Sequence, residues 1–296
     1  MQSTLAVAAR DIKLAHSVFA LPFALLAAVL AHDAEEPAGR LGGQIALVAV
    51  CMVLARTWAM LFNRIADRRF DAGNPRTAGR ALPAGRLSVR EAWLISLGCA
   101  GLFILACGGF WVSYGNPWPL VLSVPTLAWI ALYSLTKRFT VLCHFFLGGA
   151  LAFSPVAAAI ALRPEALADT PSIWLLSAMV FPWVAGFDVI YALQDMEFDR
   201  RTGLRSIPAL LGERSAKWVA RALHVLAFGA LAAALWVEPR FSDVFLSAVL
   251  LVGGLLVVEH IVLARRGMAG IPAAFFTYNG IVSCVVGAAG IADAML

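Results

Sequence analysis

Two short stretches carry oxygen-bearing side chains at helical spacing inside an otherwise apolar chain: NRIADRRFD (63–71) and DVIYALQDMEFD (188–199). At about 100° per residue, Asn63, Asp67 and Asp71 fall at about 0°, 40° and 80°, so their oxygens share one helical face. Asp188, Asp195 and Asp199 fall within about 40° of one another, with Tyr191 about 60° from that stripe and Glu197 on the opposite face. Two facing acidic ridges need a cation between them, because like charges at short range raise each other's pKa. Oxygen donors without histidine or cysteine select a hard ion, so the expected metal is Mg²⁺, for which Mn²⁺ can substitute. Mg²⁺ keeps several waters and binds through one or two carboxylates together with substrate phosphates. Arg64, Arg68, Arg76, Arg80 and Arg205 accompany the two stretches, and guanidinium groups suit phosphate oxygens. The combination predicts a diphosphate held through divalent cations.

The elements that must hold these residues are membrane spans. Of the 296 residues, 61% are hydrophobic and 14% charged, with a mean hydropathy of +0.83. A soluble domain carries about a quarter charged residues. Nine apolar runs are expected as spans, at 14–31, 42–62, 92–112, 118–135, 141–161, 172–194, 218–236, 243–263 and 272–292. Runs of roughly 20 residues match a hydrocarbon layer of about 30 Å. They leave no room for a soluble domain. Residues 1–296 therefore read as one all-α membrane domain, nine helices around a central chamber, with the first span retained.

Basic residues gather at one end of these spans, around Arg10 and Lys13, from 64 to 90, at Lys137 and Arg138, from 200 to 217, and at Arg265 and Arg266. The other end has Arg40, Arg163 and Arg240. The positive-inside rule then predicts a cytoplasmic N-terminus, an external C-terminus and a chamber opening to the cytoplasmic face of a bacterial-type inner membrane. Two long cytoplasmic loops are expected, at about 63–91 and 195–217. The basic residues flank spans and lack an aromatic platform, which argues against a nucleic-acid partner.

A diphosphate at the interface with its tail in an apolar chamber describes a polyprenyl diphosphate. Neutralising the leaving diphosphate eases ionisation of the allylic C–O bond. A dry chamber protects the carbocation, which an electron-rich aromatic ring then captures. Arg56 lies seven residues before Asn63, roughly 10 Å deeper on the same face. An arginine inside a span is costly and faces a functional cavity, so Arg56 is expected to pair with the carboxylate of an aromatic acid, or else with the diphosphate. His16, near the start of the first helix, is expected to line the acceptor pocket. A transporter of an anionic substrate is the competing reading. It would place its charges near the bilayer midplane, whereas here they crowd one end.

At these residues the chain resembles the UbiA superfamily of intramembrane prenyltransferases, in its 4-hydroxybenzoate polyprenyltransferase-like branch. The resemblance rests on NxxxDxxxD (Asn63, Asp67, Asp71), DxxYAxxDxxxD (Asp188, Tyr191, Asp195, Asp199), RTAGRALPAG (76–85), the YxxxKR element of Tyr133, Lys137 and Arg138, and the opening IKLAHSVFALPFAL. It implies that Asn63, Asp67, Asp195 and Asp199 bind the metal–diphosphate with Asp71 in support. It also implies that Tyr133, Lys137 and Arg138 contact the diphosphate or the reacting carbon, and that Asp188 and Tyr191 orient the acceptor. Arg64 is a departure, since many members have aspartate there; NRxxDR is similar to the menaquinone-related subgroup. The implied acceptor is 4-hydroxybenzoate or a dihydroxynaphthoate, and relatives with haem or chlorophyll precursors share the same chemistry.

Overall fold

The computed structural model describes residues 4–12, 19–33 and 35–296, and every regular element among them is helical. In chain order these are α1 (Thr4–Asp11), α2 (Leu21–Ala31), α3 (Ala38–Gly73), α4 (Val89–Tyr114), α5 (Trp118–Thr136), α6 (Cys143–Leu162), α7 (Ala166–Asp169), α8 (Ser172–Ala192), α9 (Met196–Thr202), α10 (Ile207–Val237), α11 (Asp243–Arg266) and α12 (Asn279–Met295). Eight helical segments among the described residues are long and apolar enough to cross a membrane, so the chain is an integral membrane protein. They coincide with the second to ninth apolar runs.

The first run behaves differently. Residues 13–18 lie outside the described residues, and α2 has 11 residues. At about 1.5 Å per residue it covers roughly half of the hydrocarbon thickness. It is a core helix: Phe23, Leu26, Leu30 and each of its alanines are buried. The bare backbone of Gly287 on α12 makes this possible, because a Cβ there would stand 2.5 Å from the Cβ of Pro22.

A short buried helix leaves orphan carbonyls at its end, which need donors. Arg240 supplies two N–H groups to the Leu30 carbonyl, at 3.1 and 3.2 Å, and Arg163 Nε donates to the Ala31 carbonyl at 3.2 Å. Glu238 holds Arg240 in place, accepting from its Nε at 2.6 Å and from the Ser172 hydroxyl. Two of the few basic residues at the arginine-poor end are therefore helix caps. The third, Arg40, lies over the Tyr114 ring and pairs with Glu36 at 3.1 Å.

The two acidic segments are more ordered than the expected loops. α3 continues through Gly73, so Asn63, Asp67 and Asp71 form the last turns of one 36-residue helix. Only 74–88 is loop, and it ends at the Ser88–Glu91 capping box that starts α4. The second segment leaves α8 through a 3-10 turn at Leu193–Asp195, runs along α9 and stops at Gly203, which takes φ 73. Ser206 then caps α10, with Pro208 in its first turn. The helix break at 193–195 means that Asp188 and the pair Asp195/Asp199 do not share one continuous helix.

The α2 cap gives a stability test. Arg240→Ala strips the Leu30 carbonyl and Glu238 of their donor, with an expected cost of about 1–3 kcal/mol, read as a lower thermal midpoint in detergent. Burial raises Glu238, but its hydrogen bonds to Arg240 and Ser172 and the Arg240 charge outweigh this and hold it below the usual carboxylate range. The depressed pKa stabilises the fold above the unfolded value of 4.5. The difference between wild type and Arg240→Ala is thus expected at neutral pH and to shrink as acid protonates Glu238.

Candidate active site

A cavity of about 860 Å³ opens at the arginine-rich end, between the ends of α3 and α8–α9. Six aspartates and eight lysine or arginine side chains line it. The excess of positive charge suits an anion with more charge than one metal ion would balance.

Each aspartate of the two segments meets its own partner. Arg138 Nη2 reaches Asp67 Oδ1 at 3.3 Å and also donates to the Ala66 carbonyl. Arg80 Nη1 donates to both oxygens of Asp71, at 2.7 and 2.8 Å. Arg76 grips Asp195 with Nε at 2.9 Å and with Nη2, while its Nη1 donates to the Tyr191 hydroxyl at 2.9 Å. Lys137 Nζ lies 2.8 Å from Asp199 Oδ1, and the Ser206 hydroxyl donates to Asp199 Oδ2 at 2.9 Å. His144 Nδ1 stands 2.7 Å from Asp188 Oδ2. Burial works against the charge of both Arg76 and Lys137. Hydrogen bonding and the charge of Asp195 overcome it for Arg76, and the adjacent Asp199 does so for Lys137, so each is held above its ordinary value.

Asn63, Arg64, Asp67, Asp71, Arg76, Arg80, Tyr133, Lys137, Arg138, Asp188, Tyr191, Asp195, Asp199 and Arg56 all line this cavity. Arg64 is nevertheless committed inward: Nη1 donates to Asn63 Oδ1 at 3.0 Å and Nε lies 3.4 Å from Asp11 Oδ2. Arg68 is exposed on the far side of α3, turned back to the Ile65 carbonyl. Arg205 does not line the cavity; its guanidinium donates to the Phe139 carbonyl at 2.9 Å, and its backbone N–H donates to the Lys137 carbonyl at 2.7 Å. It ties the start of α10 to the α5–α6 connection. His16 lies outside the described residues.

Five contributors escaped the sequence reading. Asn74 donates to Asp195 Oδ1 at 2.8 Å, bridging the two segments. It is the cap that follows Gly73 at the end of α3, three residues after Asp71. Ser206 follows from the capping pattern before Ile207–Pro208. Asp11 accepts from Ala81 N at 2.7 Å and pins the 74–88 loop to α1. Phe275 stacks on Tyr191 with ring centroids 4.3 Å apart. It sits on a π-helical turn, Ala273–Tyr278, whose Ala274 carbonyl accepts from Asn279 Nδ2 at 2.9 Å. No local pattern announces His144 or Phe275.

A second cavity of about 550 Å³ adjoins the first and shares Arg56, Met60, Tyr133, Leu147 and Leu151 with it. Its other walls are mostly apolar, from Val48, Phe103, Leu122, Trp129 and Ile130 among others, with hydroxyls from Ser123, Thr126 and Ser154. Arg56 stands at the junction. It makes no ion pair among the described residues, and its buried Nε has no hydrogen-bond partner.

The donor set fits a hard divalent cation. Carboxylate and amide oxygens from two helices converge on one cavity, and the described residues hold no cluster of three or more histidine, cysteine or acidic groups at ligand spacing. Basic side chains occupy the carboxylates instead, an arrangement that a metal–diphosphate can exchange, carboxylate to metal and guanidinium to phosphate.

A model of the UbiA prenyltransferase family matches residues 20–281. The chain is 32% identical over 246 residues to the 4-hydroxybenzoate octaprenyltransferase of Edwardsiella ictaluri, covering 80% of both chains. It is 32% identical over 232 residues to that of Nitrosomonas europaea, covering 77% of this chain and 75% of that one. A UbiA homolog from Aeropyrum pernix K1 superposes with a TM-score of 0.83 at 32% identity, over 96% of this chain and 99% of the other. A UbiA homolog from Archaeoglobus fulgidus bound to GPP and Mg²⁺ shares the fold, with a TM-score of 0.73 at 18% identity over 98% and 100%.

The Lys137–Asp199 pair can be weighed directly. Lys137→Met strands a carboxylate that is fully buried, at an expected cost of about 3 kcal/mol. Adding Asp199→Asn removes the stranded charge, and the double variant is expected to recover most of the lost thermal stability.

Proposed function

The chain belongs to the UbiA prenyltransferase family, and from that premise we propose that it transfers a polyprenyl group from its diphosphate to the ring of a phenolic acid, 4-hydroxybenzoate first. The relatives from Edwardsiella and Nitrosomonas are 4-hydroxybenzoate octaprenyltransferases, which supports that acid over the dihydroxynaphthoate to which the Arg64 pattern pointed. The observation that carries the reading is the meeting of two acidic segments, each with basic partners, at the mouth of an apolar cavity. Its charges crowd one end of the fold, unlike the midplane site of a transporter. We read the arginine-rich end as cytoplasmic, on the positive-inside rule.

The diphosphate lies among Arg76, Arg80, Lys137 and Arg138, which exchange carboxylate for phosphate oxygens. Asn63, Asp67, Asp71, Asp195 and Asp199 would hold Mg²⁺, which when bound neutralises charge developing on the leaving diphosphate. The tail occupies the apolar cavity, with Tyr133 at the junction beside the reacting carbon. The allylic C–O bond breaks with its electron pair leaving on the diphosphate. A ring carbon of the acceptor then forms the C–C bond, and the phenolic proton passes to Asp188. The proton on the attacked carbon moves to the ring oxygen and restores the aromatic system. The proton on Asp188 leaves with the diphosphate. Arg56 pairs with the acceptor carboxylate, and Tyr191 with Phe275 walls the ring.

Membranes containing the protein, Mg²⁺, labelled polyprenyl diphosphate and either acid are expected to give prenylated 4-hydroxybenzoate by mass, and none in excess chelator. Asp67→Ala and Asp195→Ala are each expected to abolish turnover; retained activity in either would count against their role. Arg56→Lys is expected to raise the acceptor KM roughly tenfold with a smaller change in kcat. An unchanged KM would remove the carboxylate role.

A further inference from the structure

His144 is the second residue of α6 and is 2% exposed. Its ring nitrogens face different chemistry. Nε2 lies 3.3 Å from the backbone nitrogen of Ile207, the first residue of α10. A backbone N–H can only donate, so Nε2 accepts and the ring proton resides on Nδ1. Nδ1 stands 2.7 Å from Asp188 Oδ2, and an ionised carboxylate can only accept. The two contacts select one tautomer of a neutral imidazole. The remaining oxygen, Asp188 Oδ1, makes no hydrogen bond among the described residues, and the side chain is 23% exposed where it lines the chamber.

The same helix start reaches the other half of the site. Ser206, the cap of α10, donates to Asp199 Oδ2 at 2.9 Å, one residue before the amide that addresses His144. Cys143 Sγ contacts the Arg205 carbonyl at 3.5 Å, and Arg205 N donates to the Lys137 carbonyl. Residues 205–207 are thus stitched to the segment 137–144 along its length. The carboxylate placed for the acceptor and the one placed for the leaving group hang from consecutive residues of one rigid element.

We propose that His144, locked as its Nδ1–H tautomer by the Ile207 amide, is a positioning residue that fixes Asp188 with one oxygen free to take the acceptor's phenolic proton. This rests on the prenyl-transfer reading above. Both ring nitrogens of His144 are spent on Asp188 and the Ile207 amide, so it acts through Asp188. It spends Oδ2 of the carboxylate and so holds Oδ1 turned to the chamber. An imidazole suits this place because it donates on one edge and accepts on the other.

The test compares kcat and KM for His144→Leu, His144→Gln, Ile207→Pro and Ile207→Ala in membranes, using 4-hydroxybenzoate and ring-fluorinated analogues with more acidic phenols. His144→Leu is expected to lower kcat about 100-fold, within the range of general acid–base effects, with acceptor KM changed less than about threefold. Glutamine also offers one donor and one acceptor, and is expected to restore most of the loss. Ile207→Pro keeps a residue suited to the first helical turn but deletes the N–H, so it is expected to fall below Ile207→Ala, which retains it. The wild-type to His144→Leu ratio is expected to shrink as the acceptor arrives already ionised. Equal losses in glutamine and leucine variants, or a ratio indifferent to phenol acidity, would overturn the proposal while leaving prenyl transfer intact. A wild type that prenylates neither acid would instead overturn the function.

Discussion

A carboxylate carried to the mouth of an apolar bundle costs several kcal/mol unless a cation goes with it. This chain brings a whole set of them there, and the rest of the architecture follows from how they are balanced. The pairing crosses between segments. Arg76 follows the first acidic segment but pairs with Asp195 of the second. The adjacent Lys137 and Arg138 divide, one to Asp199 and one to Asp67. The α5–α6 connection therefore sits as a basic wedge between two acidic ridges that would otherwise repel. Because the partners are side chains, they can turn to phosphate when a metal takes the carboxylates.

The opposite end has the complementary task of closing the bundle. There α2 ends inside the bundle, and its carbonyls would be unsatisfied in an apolar interior, where each costs several kcal/mol. Arg163 and Arg240 supply the missing donors. A basic residue can thus cap a helix at one end and grip an anion at the other, and the difference lies in whether its partners are fixed in the fold or are carboxylates that a metal can take over. By that criterion Arg205 and Arg64 are largely structural and Arg56 is available.

The division between polar and apolar cavities gives the donor its orientation. Arg56 and Tyr133 stand where they meet, so the reacting carbon, between tail and diphosphate, falls beside them. The aromatic wall behind Tyr191 depends on a π-helical turn held by Asn279, which also accepts from Trp183 Nε1 at 2.6 Å. A buried polar network deep in the bundle thereby sets one face of the acceptor space.

The amino-acid sequence by itself determined the helical membrane class, the segregation of charge to one end, and the shared face of Asn63, Asp67 and Asp71. Helical period and span length are backbone properties, so they survive any packing. What only the tertiary structure decided is which partner each group meets: Arg76 rather than Arg68 facing the chamber, Arg205 tying helices together, α2 buried in the core, and His144 beside Asp188. Contacts between residues tens of positions apart leave no periodic trace, because they are set by the packing of whole helices and not by the turn of any one.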